Sequence, residues 1–141
     1  MKHQPFDQIR ARASVVPAEA PGLSRKARLR RWAELLLQDP DHRLRALYGV
    51  EFHAPRERAQ MRADNSPLAI AYSDPVLRAD GLQGDTLGHV QSYFGLSFEE
   101  AHYLVCDCHF RGGMDGRSVA RRVRAVADAN VLQRLWIRLC A

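Results

Sequence analysis

The sequence predicts an all-α fold, a small irregular bundle of roughly five to seven helices, because apolar residues recur at spacings of three and four in several separate runs after residue 24. Most of these runs open on a side chain able to cap a helix, and several close on glycine. Only the stretch 68–72, Leu-Ala-Ile-Ala-Tyr, reads as one short extended segment, and a lone strand has no partner with which to pair.

Taken in order, residues 1–22 are polar and charged, broken by Pro5, Pro17 and Pro21, and lack the apolar core of a signal peptide. They read as a flexible N-terminal tail, with Arg10 and Arg12 available for docking, ahead of a single helical domain over 23–141. Ser24 caps a helix over 25–38 that places Leu29, Trp32, Ala33 and Leu36 on one face. Asp39 and Pro40 stop it and are expected to start a second helix bearing Leu44, Leu47 and Tyr48, ending near Gly49. From Val50 to Leu82 the pattern weakens, with a short helical turn over 55–63. Pro67 and Pro75 bracket the extended segment, and Asp74 with Pro75 starts a brief helix ending near Gly81.

The last third is more regular. A helix over 85–94 carries Leu87, Val90 and Phe94 and is closed by Gly95. Ser97 and Glu100 form a capping box for a helix from Phe98 to about Phe110, which stops at Gly112 and Gly113. After Ser118 comes a helix with Val119, Val123 and Val126 on one side and Arg121, Arg122 and Arg124 on the other. Asn130 and Gln133 cap a final helix bearing Leu132, Leu135, Trp136 and Leu139. The expected core gathers Trp32, Leu36, Leu44, Leu47, Leu87, Val90, Phe94, Val105, Val123 and Trp136.

With 141 residues, 46% of them hydrophobic and 26% charged, the chain has the balance of one soluble domain. No stretch approaches the roughly 18 uncharged apolar residues that cross a membrane. The net charge of +5 is uneven: residues 1–50 carry ten basic against five acidic side chains, 51–95 four against six, and 96–141 seven against five. Only Lys2 and Lys26 are lysines, so the positive charge is nearly all guanidinium, which suits carboxylate or phosphate partners. Arginine-rich, lysine-poor usage also follows from a GC-rich coding sequence. Cys106, Cys108 and Cys140 cannot form a closed set of bridges, which fits a reducing, cytoplasmic setting.

Three constellations have chemical content. His102, Cys106, Cys108 and His109 are soft and borderline ligands within eight residues. On a continuous helix, at about 100° per residue, Cys108 points away from the stripe shared by the other three. That cluster therefore lacks a completing pair, so no bound metal is expected and its cysteines read as small core residues. Glu99 with His102 has the E-x-x-H spacing of di-iron bundles, but the second pair they need is missing. A Cys106 nucleophile with His102 as base lacks an orienting group.

The loop 111–118, R-G-G-M-D-G-R-S, leads into a helix N-terminus and could offer amides to an anion. Its glycine interval, Arg117 in place of lysine, a preceding helix rather than a strand, and Asp115 all depart from a phosphate-binding loop. The helix pair over 97–127 could lie on nucleic acid, with Arg117, Arg121, Arg122 and Arg124 on phosphates, helped by the basic run 25–31. Few side chains there can read base edges, so such binding is expected to be weak and salt-dependent.

The leading expectation is a non-catalytic cytosolic binding or regulatory module. Its solvated Arg28, Arg31, Arg117, Arg121 and Arg124 would engage an acidic protein or anionic ligand. No cofactor, catalytic residue or membrane contact is expected, and the sequence is silent on oligomeric state.

Overall fold

A computed structural model describes residues 22–45, 54–57, 59–60, 66–111 and 113–140. Within them lie seven α-helices with defined bounds: α1 Arg25–Leu36, α2 Pro67–Ser73, α3 Pro75–Ala79, α4 Leu87–Phe94, α5 Phe98–Val105, α6 Gly116–Asp128 and α7 Val131–Cys140. A 3-10 turn, Asp107–His109, and two short strands, β1 Arg43–Leu44 and β2 Met114–Asp115, complete the elements. The all-α class holds. The expected N-terminal tail lies almost wholly outside the described residues, as do Leu47, Tyr48 and Gly49 and parts of the turn expected over 55–63.

The frame is the pairing of α1 with α6. Ser24 Oγ accepts from the Ala27 amide, and Leu29, Trp32, Ala33 and Leu36 are buried, as their spacing requires. They meet Val119, Ala120, Val123, Val126 and Ala127 of α6. Gly116 allows this approach: a Cβ there would lie 2.5 Å from the carbonyl oxygens of both Leu36 and Asp39. α6 is capped by Asp115, one turn earlier than expected from Ser118, which serves instead as the third residue of a reciprocal capping box.

Two segments before α3 differ from their sequence reading. Asp39 and Pro40 end α1 without starting a helix; the chain turns, and Arg43 and Leu44 pair antiparallel with Asp115 and Met114. That pairing and the bonds from the Gly116 amide to His42 O and from the Arg117 amide to Pro40 O hold the turn against α6. Conversely, the stretch expected to be extended, 68–72, is helical within α2. Ser66 caps it, accepting from the Leu68 amide, and Pro67 stands at the first helical position, the arrangement that favours helix entry. Asp74 then ends α2 and caps α3, accepting from the Leu77 amide.

The core centres on Trp32 and Phe94, stacked at 4.9 Å between ring centroids, with Tyr93 edge-on to Phe94 at 4.8 Å. Trp32 donates from its indole nitrogen to Pro67 O at 2.9 Å, so its polar atom is satisfied within the apolar surroundings. Leu36, Leu44, Val90, Phe94, Val105 and Val123 are buried as expected, and Leu87 is partly buried against them. Trp136 is the exception, at 64% exposed. α7 packs on α5 through Ile137 and Arg134, leaving the tryptophan face outward.

Candidate functional site

The basic residues of α1 are turned largely to internal use. Arg31 grips Asp74 with two bonds of 2.6 and 2.9 Å. Arg28 donates to Asp80 at 2.7 Å and to Tyr93 O at 2.8 Å while lying over the Tyr93 ring. Arg30 and Lys26 both reach Asp128. The expectation that Arg28 and Arg31 are solvated is therefore corrected, and the charge distribution explains why: the acidic middle of the chain folds back to meet the basic front. Asp74 and Asp80 are the carboxylates that α2, α3 and the turn after α3 bring against α1.

These pairs set a pH response. The Arg31 bond holds the Asp74 carboxyl below its ordinary value against the opposing effect of burial. Burial pushes Asp80 up, but bonds from Tyr93, the Leu23 amide and Arg28 outweigh it, so it too lies below the usual range. A lowered folded-state pKa means that the unfolded chain takes up protons first as pH falls. The stability these two carboxylates contribute is therefore expected to be fully present above about pH 5 and to be lost progressively below about pH 4, where unfolded carboxyls titrate. Urea midpoints measured against pH check this, and Asp74→Asn should flatten part of the acid slope.

On the opposite side of α6 the arginines divide. Arg117 pairs with Asp41, both highly exposed, an arrangement that adds little to stability. Arg121 and Arg124 are exposed, as expected. Arg122, which the sequence pattern groups with them, is drawn inward. Its guanidinium lies 4.5 Å from the Tyr103 ring and 3.9 Å from the Phe110 ring, and it donates to Tyr103 O and His109 O. An arginine among valines on an amphipathic helix carries no sequence mark of this role; the aromatic rings that receive it come from α5 and the turn after it.

Beside this face lies an open groove of about 380 Å³ between α5, α6 and α7, lined by Tyr103, Ala125, Asp128, Gln133, Trp136 and Ile137 among others. Outside it, α7 turns its apolar stripe to solvent: Leu132 is 76% exposed, Leu135 49% and Leu139 85%. The reciprocal Asn130 and Gln133 cap expected from sequence is present and fixes the start of α7. Arg134 orients the helix by donating to the fully buried Glu100 at 2.8 Å. Burial raises the Glu100 carboxyl, and the Arg134 bond, the Ser97 amide and the charge of Arg25 together bring it below its ordinary value.

The histidine and cysteine cluster is rearranged relative to the continuous helix expected over 98–110. α5 ends at Val105, Cys106 takes an extended conformation with φ −89° and ψ 129°, and the 3-10 turn follows. The turn carries Cys108 back to the stripe from which a helix would have removed it. The Cys106 and Cys108 sulfurs are 2.9 Å apart, and His102 Nδ1 and His109 Nε2 are 3.0 Å apart. One ligand atom from each of His102, Cys108 and His109 lies within 4.8 Å of the others. Cys106 is buried and Cys108 exposed.

The loop before α6 offers little to an anion. The first amides of α6 are committed to His42 O, Pro40 O and the Asp115 side chain, and the Gly116 Cα faces backbone carbonyls. Among the described residues no helix is long and apolar enough to cross a membrane. No protein-family model, curated protein or solved structure matches this chain.

Proposed function

We propose that the protein is a non-catalytic binding module of the cytoplasm that seats an acidic amphipathic helix along the outer faces of α6 and α7. The observation that carries this reading is the outward apolar stripe of α7, since contiguous exposed apolar surface on a small domain marks an interaction site. Leu132, Leu135, Trp136 and Leu139 would receive apolar side chains at helical spacing, with Trp136 as anchor at the edge of the groove. Arg121 and Arg124, exposed on the neighbouring helix, supply the charge that selects an acidic occupant and speeds its approach. The role expected of Arg28 and Arg31 passes to these two, because α1 uses its own guanidinium groups within the fold.

Trp136 is its own reporter, since Trp32 is fully buried and does not sense a surface ligand. Titration with a synthetic Leu/Glu amphipathic helical peptide should shift the Trp136 emission to the blue, whereas the same peptide with Lys for Glu should not. Leu132→Ala with Leu139→Ala should abolish the shift while changing stability by no more than about 0.5 kcal/mol. Arg121→Gln with Arg124→Gln should weaken binding and remove its salt dependence. Equal binding of both peptides, dimerisation through α7, adsorption to anionic vesicles, or tight salt-resistant binding of random DNA duplex would each overturn the reading.

A further inference from the structure

We propose that His102, Cys106, Cys108 and His109 form a zinc-binding site that clips the end of α5 to the turn leading into α6. The two histidine nitrogens and the Cys108 sulfur lie within 4.8 Å of one another, and the Cys106 sulfur, outside that group, stands 2.9 Å from the Cys108 sulfur. This donor set is the one that tetrahedral zinc takes in structural sites. With zinc bonds of about 2.3 Å to sulfur and 2.0–2.1 Å to nitrogen, neighbouring ligand atoms stand about 3.3–3.8 Å apart. The nitrogen pair at 3.0 Å is already near that spacing. The sulfurs, at 2.9 Å, would open by just under 1 Å, the histidine and Cys108 atoms, within 4.8 Å, would close by up to about 1.2 Å, and the Cys106 sulfur would swing toward the histidines.

The alternatives explain the arrangement less well. A small apolar role suits buried Cys106 but not Cys108, which is exposed and yet directs its sulfur at Cys106. Both cysteines are free, so the pair is not a disulfide. Two thiolates neutralise the ion, so the site would hold no net charge. Arg122 also fixes the ligand-bearing turn from behind: it donates to the carbonyls of Tyr103 and His109 and lies against Phe110, so the backbone carrying Cys108 and His109 is held before any ion arrives. The ion would bind through the exposed Cys108 edge.

The test uses the full chain, purified under reducing conditions without chelator. Elemental analysis should find one zinc per chain, and the metal-free protein should take up one Co²⁺ to give the intense visible bands of a tetrahedral centre with a thiolate charge-transfer band. Cys108→Ser and His102→Ala should each weaken Zn²⁺ binding by more than about 100-fold, beyond the 10–100-fold typical of outer-shell losses. Cys106→Ser should lose about half of the charge-transfer intensity, and Cys140→Ser should bind as the wild type does. X-ray absorption of the zinc-loaded wild type should show two sulfur and two nitrogen neighbours, a readout that stands even where a variant fails to fold. Failure of the reduced chain to retain Zn²⁺ or Co²⁺ would overturn the proposal. So would an octahedral cobalt spectrum, or full metal binding by a Cys106→Ser/Cys108→Ser double variant.

Discussion

Trp32→Ala is expected to lower the stability of the fold by about 3–5 kcal/mol. The indole is fully buried, stacked on Phe94 and bonded to Pro67 O. Its removal opens a cavity where α1, α2 and α4 meet and takes a donor from the Pro67 carbonyl. Urea denaturation measures the loss directly. Trp136→Ala serves as the internal contrast, because the same chemical change on an exposed indole should stay within about 0.5 kcal/mol. Equal losses at the two positions would contradict the placement of α7.

Glu100→Ala is expected to have an effect of similar size, about 3–5 kcal/mol, through a different cause. The carboxylate is fully buried and receives Arg134 and the Ser97 amide, with Arg25 at 3.6 Å. Deleting it leaves partly buried guanidinium groups without their anion and removes half of the capping box of α5. The diagnostic comparison is a double variant, Glu100→Leu with Arg134→Leu. Taking out both charges removes Arg134 from the groups that lose their anion and leaves only Arg25 to adjust, so the double change should cost clearly less than the sum of the single ones. Additive losses would show that the pair does not act as a unit.

Local signals in the chain were faithful where a side chain caps its own helix. Ser24, Asp74, the Ser97 and Glu100 box, Gly95 and the Asn130 and Gln133 pair act at or next to the positions where sequence put them. Each depends on atoms only a few residues apart, so composition and spacing are sufficient. The same signals failed where a distant element decided the outcome. Asp39 and Pro40 resemble a helix start, but β2 and the first amides of α6 recruit the following residues into a strand pair. The stretch 68–72 lacked periodicity because a seven-residue helix is too short to display any.

The site was legible in part. Exposed Arg121 and Arg124 followed from the stripe of valines, whereas the fates of Arg28, Arg31 and Arg122 depended on Asp80, Asp74, Tyr103 and Phe110, all on other elements. Spacing puts Trp136 in the core because an apolar stripe ordinarily faces inward; α7 instead faces inward through Arg134, whose anion is Glu100. For the ligand cluster, the difference between sequence and structure is one of helix length. An end at Val105 rather than Phe110 reverses the direction of Cys108.

The pairing of α1 with α6 also governs how the chain emerges during synthesis. The principal partner of Leu29, Trp32 and Leu36 begins at Gly116, about 80 residues after α1 is complete. At about 5–20 residues per second, that interval is roughly 4–16 s, long compared with the microseconds a helix needs to form. For those seconds α1 is a finished amphipathic helix with only α2 and, later, α4 to cover its apolar ridge, an open target for a holdase chaperone or for a neighbouring nascent chain.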